Sequence, residues 1–129
     1  MSLWIDEDID RRIDLFRVRL GAPLLESIRC AGDAFMAEAL SREMQTLTTT
    51  VEAASRARSA QVVRTSLRDA AGHAARCRTQ VELHAACYPA DDPLCDAAVS
   101  ELDEIWASLE RLWRRARKPR GGRPPCSPS

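Results

Sequence analysis

The 129-residue chain is neutral overall, with 19 Lys and Arg against 19 Asp and Glu, and 45% of its residues are hydrophobic. This length suits a single domain, and no apolar run approaches the roughly 18 to 20 residues of a membrane-spanning helix. The neutrality hides an asymmetry, because residues 1–110 hold 12 Arg against all 19 acidic residues, whereas residues 111–129 hold six Arg and Lys118. An acidic body argues against binding of the folded surface to nucleic acid.

The N-terminal end and the cysteines indicate the cellular compartment. Residues 1–10 are acidic and lack a basic segment followed by an apolar stretch, so we identify no signal peptide. Five cysteines are an odd number, which argues against a disulfide framework. We therefore expect a cytoplasmic protein with free thiols and no membrane partner.

The first predicted helix covers residues 3–20. Its apolar residues recur at steps of three and four, which places them on one helical face: Ile5, Ile9, Ile13, Phe16 and Leu20. Gly21 and Pro23 then predict a stop followed by a proline in the first turn of the next helix.

The second predicted helix covers residues 24–47 and ends at a run of three threonines. Thr49 and Glu52 match a capping box, so we expect a break there. No Gly or Pro lies between Gly32 and Gly72, so one very long helix is the alternative. The same helical period supports this segment: Leu25, Ile28, Phe35, Met36, Leu40, Met44 and Leu47.

The third and fourth predicted helices cover residues 51–88 and 93–117. Pro89 ends the third helix, and Asp92 with Pro93 predicts the cap and first turn of the fourth. The fourth helix carries a seam at alternating steps of four and three: Ala98, Leu102, Ile105, Leu109, Leu112 and Ala116. Short links between four helices predict an all-α, up-and-down helical bundle over residues 1–117.

Residues 118–129 are rich in Pro, Gly, Arg and Ser, which predicts a flexible, disordered tail. The cations at the end of the fourth helix and in this tail can pair with phosphates or carboxylates, so nucleic acid or an acidic protein is a candidate partner. These residues are Arg114, Arg115, Arg117, Lys118, Arg120 and Arg123.

One short motif on the third helix bears on catalysis. Arg68, Asp69 and His73 read Arg-Asp-x-x-x-His, which resembles the Arg-x(4 to 6)-His signature of HEPN-type ribonucleases. These enzymes are small helical bundles in which two chains bring their motifs together. The resemblance implies that His73 promotes attack by an RNA 2′-hydroxyl, that Arg68 steadies the phosphate and that Asp69 orients them.

Histidines and cysteines on the same helix form a stripe of metal-ligand types. His73, Cys77, His84 and Cys87 lie on one narrow face at about 100° per residue. The stripe is roughly 21 Å long, so only one pair, His73 with Cys77 or His84 with Cys87, can chelate a single ion. Each pair needs ligands from another helix or chain, and the alternative is packing of small cysteines beside the core.

Trp106 and Trp113 lie seven residues apart on one side of the fourth helix. They serve either core packing or the anchoring of a partner helix or a second copy of the chain. The sequence lacks a glycine-rich phosphate loop, a Glu-x-x-His pair, a Cys-x-x-Cys motif and a nucleophile elbow, so we expect no cofactor. The favoured interpretation is a non-enzymatic, adaptor or chaperone-like interaction protein that forms homo-oligomers or binds a protein partner. The HEPN-like ribonuclease and the Cys/His metal protein are its alternatives.

Overall fold

The computed structural model describes residues 7–117, and these form the predicted all-α bundle of four helical rods. Residues 1–6 and 118–129 lie outside the described residues, and with them Ile5 and the predicted C-terminal tail. The helices are α1 (Glu7–Phe16), a π-helical turn (Arg17–Gly21), α2 (Ala22–Cys30), α3 (Ala34–Arg56), α4 (Ala60–Cys87), a short 3-10 turn (Pro89–Asp91) and α5 (Asp92–Arg117). No strand occurs between residues 7 and 117.

The first rod is one continuous helix from α1 through the π turn into α2, so the predicted stop at residue 20 is wrong. Pro23 cannot donate a backbone hydrogen bond, and in a regular helix its ring would press on the carbonyl of Arg19. The π turn directly before it changes the local register, because the Ala22 amide bonds to the Arg17 carbonyl, five residues back. The helix therefore continues through Pro23, although the sequence pattern predicts that a helix ends just before it.

The break after the first rod lies instead at Gly32 and Asp33. Gly32 has a φ of +87°, the left-handed conformation that glycine adopts without strain. Asp33 caps the next helix, since its Oδ1 accepts a hydrogen bond of 3.0 Å from the Met36 amide. Phe35 consequently lies in the first turn of α3 and is 86% exposed. This corrects the expectation that it belongs to the apolar face of a helix continuing from residue 24.

The predicted break at Thr49 is also wrong, because the threonines lie inside α3. Their hydroxyls donate to carbonyls four residues back: Thr48 to Met44, Thr49 to Gln45 and Thr50 to Thr46, at 2.7 to 3.1 Å. This bonding satisfies the hydroxyls within the helix, so the capping-box pattern is not used. The actual link is residues 57–59, where Ser59 Oγ accepts from the Val62 amide at 3.2 Å and starts α4. The long-helix alternative is excluded by the same link.

The end of α4 and the whole of α5 agree with the prediction to within one residue. Asp92 differs in detail, since it is the first helical residue of α5 rather than a non-helical cap. All six predicted seam residues of α5 are buried: Ala98, Leu102, Ile105, Leu109, Leu112 and Ala116. Six small or aliphatic side chains of α4 are buried in the same core: Val63, Leu67, Ala70, Ala74, Cys77 and Val81.

Neighbouring rods run antiparallel around the bundle. Between the first rod and α3, Arg17 contacts Thr48, and Gly21 lies so close to Met44 that an added Cβ would be 2.8 Å from its sulfur. Residue numbers thus rise on one rod as they fall on the other. The helices α3 and α4 are likewise antiparallel, since a short link joins them and Glu43 of α3 contacts His73 of α4.

The ring of helices closes through α5. On α4, Arg78 bonds to Asp103, whereas Arg68, ten residues earlier, lies over the Trp113 ring. On the first rod, Arg12 pairs with Glu101 at 2.9 Å, and Ser27 reaches Asp91 just before α5 begins. These contacts give the up-and-down topology, and α5 has α4 on one flank and the first rod on the other. Within residues 7–117 no helix is both long and apolar enough to cross a membrane.

Candidate functional site

The two predicted anchor residues of α5 line a shallow depression between α4 and α5. The depression has a volume of about 210 Å³, and both Trp106 and Trp113 form part of its wall. Trp106 is 42% exposed, whereas Trp113 is half-buried against the core. Ala71, which is partly buried, also lines the depression, and the fully buried Leu67 and Leu109 lie beneath it. The spacing of seven residues therefore brings the two indoles together at one open surface.

Arg68 also lines this depression. Its guanidinium carbon lies 5.4 Å from the Trp113 ring centroid, a cation–π distance, and its side chain is exposed. The stacking holds the guanidinium over the ring and leaves its donors toward solvent. No carboxylate of residues 8–116 lies within ion-pair distance of Arg68 or of Arg64, one turn earlier on α4. The α4 side of the depression is therefore cationic.

The opposite side of the depression carries Glu110 of α5. This carboxylate is 31% exposed and is 3.5 Å from Arg114, an exposed i,i+4 pair of small energetic value. Arg68 and Glu110 line the same depression without forming an ion pair with each other. The surface thus has a cationic edge on α4, an acidic group on α5 and apolar rings between them. We define the α4–α5 surface as Arg64, Arg68, Trp106, Glu110 and Trp113.

The residues of the HEPN-like motif are divided between two flanks of α4. Arg68 faces α5 through Trp113, whereas His73 faces α3, where its Nδ1 lies 2.5 Å from Glu43 Oε1. Asp69 is exposed. Within one chain the structure therefore does not bring Arg68 and His73 to a common site.

His73 belongs instead to a cluster that the sequence did not indicate. Arg76 Nε lies 3.4 Å from the Glu43 carboxylate, and Arg76 Nη2 lies 3.0 Å from His73 Nδ1. A ring nitrogen cannot donate to Glu43 and accept from Arg76 at once, and the shorter contact favours donation to the carboxylate. His73 and Glu43 side chains are 18% and 19% exposed. Such a carboxylate–imidazole pair orients the ring and leaves Nε2 for proton transfer.

The predicted metal stripe is also divided among separate environments. His84 is completely buried, and its Nε2 lies 2.6 Å from Asp91 Oδ2, which also accepts a hydrogen bond from the Ser27 hydroxyl. His73 is bound to α3 as described, Cys77 is buried and Cys87 is exposed. Between residues 7 and 117 no three His, Cys, Asp or Glu side chains are grouped as metal ligands.

The contacts around His84 explain the electrostatics at this end of the bundle. Hydrogen bonds from Ser27 and then His84 lower the pKa of Asp91 below its usual value of 3.8. Because Asp91 accepts both bonds, it joins α2 and α4 rather than activating the serine. Burial raises the pKa of Cys77 to about 12, and the negative charge of Glu43 adds to this effect. The Cys77 thiol is therefore protonated at neutral pH and is a poor metal ligand.

The predicted cationic residues of the C-terminal end are only partly described. Arg114 and Arg115 are exposed near the end of α5, and Arg117 is its last residue. Lys118, Arg120 and Arg123 lie outside the described residues, so contact of the tail with nucleic acid stays a prediction. Comparison with known proteins adds no functional assignment, since no protein-family model, curated protein or solved structure matches the chain.

Proposed function

We propose that this protein is a non-enzymatic helical interaction module that self-associates through the α4–α5 surface. The observation that carries the proposal is the exposed Trp106 ring beside an open depression that also contains Trp113 and Arg68. Tryptophan and arginine are the residues most enriched at energetically dominant positions of protein interfaces. A ring that projects beside a depression offers both halves of a self-complementary contact.

The charges favour a second copy of the chain as the partner. In a dimer whose two-fold axis is parallel to the helices, α4 of each chain lies over α5 of the other. This arrangement brings the unpaired Arg68 close to Glu110 of the partner subunit and seats each Trp106 on the apolar surface between the helices. Opposite charges therefore meet on both sides of the axis. A symmetric contact also covers the indole area that a monomer leaves in water.

The test compares Trp106→Ala with a matched change of an exposed apolar residue near the C-terminal end of α4, about 22 Å along the helix from Arg68. This control is Leu83→Ala, whose parent is 53% exposed. Sedimentation equilibrium of each full-length protein over a wide concentration range measures the dimer dissociation constant. We expect wild type and Leu83→Ala to dimerise alike and Trp106→Ala to dissociate at least about tenfold more readily. A wild type that is monomeric at every concentration, or a Trp106→Ala dimer as tight as wild type, contradicts the proposal. Circular dichroism of each variant confirms that its helices are retained.

A second candidate function is RNA cleavage by acid–base catalysis at His73, and the contact with Glu43 favours it. The carboxylate orients the imidazole, and Arg76 is the neighbouring cation, in place of Arg68 of the sequence motif. The test is hydrolysis of a single-stranded RNA by wild type, His73→Ala and Arg76→Ala. Activity that either substitution abolishes supports this candidate over the interaction module. An inactive wild type, or cleavage that survives His73→Ala, removes it.

A further inference from the structure

A groove between the first rod and α5 concentrates arginine side chains. It has a volume of about 690 Å³ and lies on the flank of α5 opposite Trp106. Five of the residues that line it are arginines, against two acidic residues, Asp8 and Glu101: Arg11, Arg12, Arg19, Arg111 and Arg115. The body of the protein, residues 1–110, has an excess of acidic residues. The cationic groove is therefore a local departure from the charge of the domain.

Four of these arginines have no acidic partner among the side chains that the structure describes. Arg12 is neutralised, since it lies 2.9 Å from Glu101 and 3.8 Å from Glu104, and Arg111 donates to the Ser108 hydroxyl. The other three, Arg11, Arg19 and Arg115, are exposed, and no carboxylate of residues 8–116 is within ion-pair distance of them. Like charges around one groove repel one another, so an anion that binds there relieves this repulsion.

Apolar side chains give the groove a second chemical character. Leu15 lies between Arg11 and Arg19 along the helix, lines the groove and is 39% exposed. Phe16 and Leu112 are also in its lining, but both are buried. No exposed aromatic ring is therefore present among the lining residues on which a base could stack, which disfavours single-stranded nucleic acid as the occupant. An occupant with both carboxylates and aliphatic groups satisfies the whole surface.

We propose that this groove binds an acidic amphipathic helix of a protein partner. Carboxylates of that helix pair with Arg11, Arg19 and Arg115, because guanidinium groups bind carboxylates through two parallel hydrogen bonds. The aliphatic face of the helix packs on Leu15. The groove and the α4–α5 surface lie on opposite flanks of α5, so a self-associated module can hold one partner helix on each chain.

The test uses a labelled synthetic peptide of about 20 residues that forms a helix with Leu on one face and Glu on the other. Fluorescence anisotropy measures its binding to the full-length protein. The groove variant is the double substitution Arg11→Glu with Arg19→Glu. The matched control is Arg42→Glu with Arg58→Glu, which makes the same change of charge at exposed positions outside the groove. A peptide with Lys in place of Glu, and a polyuridine oligonucleotide, are the alternative ligands.

We expect the Glu peptide to bind wild type and the control alike and to bind the groove variant at least about tenfold more weakly. Its binding to wild type should weaken as salt is added. The Lys peptide and the oligonucleotide should not compete. Equal losses in the groove and control variants would show general charge attraction and overturn the proposal. Undiminished binding to the groove variant, or displacement by the oligonucleotide, would do the same. Sedimentation of the groove variant separates this result from self-association, because its dimerisation should equal that of wild type.

Discussion

The positions of the helix breaks can be tested with a pair of alanine substitutions. The structure places the cap of α3 at Asp33, whose side chain accepts a 3.0 Å hydrogen bond from the Met36 amide. The sequence pattern alone places a cap at Thr49, which the structure finds inside α3 with its hydroxyl bonded to the Gln45 carbonyl at 2.9 Å. Asp33→Ala and Thr49→Ala therefore have opposite expected effects on stability.

The magnitudes follow from capping and helix propensity. Loss of an aspartate cap costs about 1 kcal/mol of unfolding free energy, because the Met36 amide loses its partner. Thr49 is exposed in the helix interior, so alanine there should gain up to about 0.5 kcal/mol through its higher helix propensity. With a urea m-value of about 2 kcal/mol/M, these changes correspond to midpoint shifts of about −0.5 M and +0.25 M.

Urea unfolding followed by circular dichroism at a fixed protein concentration measures both shifts. The concentration must be the same for all proteins, because self-association adds to apparent stability. A Thr49→Ala variant that loses about 1 kcal/mol while Asp33→Ala is unchanged would refute the assignment of the break. Ser59→Ala extends the test to the second link, where a loss of about 1 kcal/mol is expected from its bond to the Val62 amide.

Three further predictions concern the backbone, acid stability and thiol reactivity. Gly32→Ala should lower the unfolding free energy by about 1 kcal/mol because its φ is +87°, whereas Gly72→Ala in the interior of α4 should raise it by about 1 kcal/mol. Melting temperatures of the two variants that shift in the same direction would contradict this prediction. Asp91→Asn should be less stable than wild type at pH 7. Because the pKa of Asp91 is lowered in the folded state, the difference in melting temperature should shrink as pH falls below 3.8 and vanish below the folded pKa. A difference in melting temperature that does not depend on pH would contradict this prediction. Iodoacetamide at about pH 8 should label Cys87 but not Cys77, whose pKa is raised to about 12, as peptide mass spectrometry can show; equal rates would contradict it.

The sequence predicted the all-α class and the last helix because their signals are local. The steps of four and three from Ala98 to Ala116 identify the buried seam of α5 without knowledge of its neighbours. Asp92 and Pro93 likewise mark its start to within one residue. The seven-residue spacing of Trp106 and Trp113 predicted that the two rings share one surface, and both line the same depression.

The boundary between the first two helices was predicted wrongly because two local signals for a helix end lie about ten residues apart, one at Pro23 and the other at Gly32 and Asp33. Pro23 normally ends a helix, but the π turn before it makes room for the ring, and no simple pattern encodes such a turn. The adjacent Gly32 and Asp33 carried the correct signal, a left-handed residue followed by a cap. This signal is hard to recognise in the sequence because apolar residues continue at helical spacing on both sides of the link.

The clusters around the histidines could not be predicted from local patterns. Glu43 is 30 residues from His73, and their contact depends on how α3 packs against α4. Asp91 binds both His84 and Ser27, and Ser27 lies 64 residues before it in the chain. Motif matching along a single helix groups residues by sequence spacing, but the packing of four helices assigns neighbouring positions to different flanks.

The proposed dimer contact between Arg68 and Glu110 of the partner subunit provides the most direct test of the proposed function. Sedimentation equilibrium should show that Arg68→Glu and Glu110→Arg each weaken dimerisation, because each places like charges opposite one another. The double variant, which exchanges the two charges, should recover dimerisation to within a few-fold of wild type. Single variants that dimerise as wild type does, or a double variant no tighter than either single variant, would contradict self-association through the α4–α5 surface.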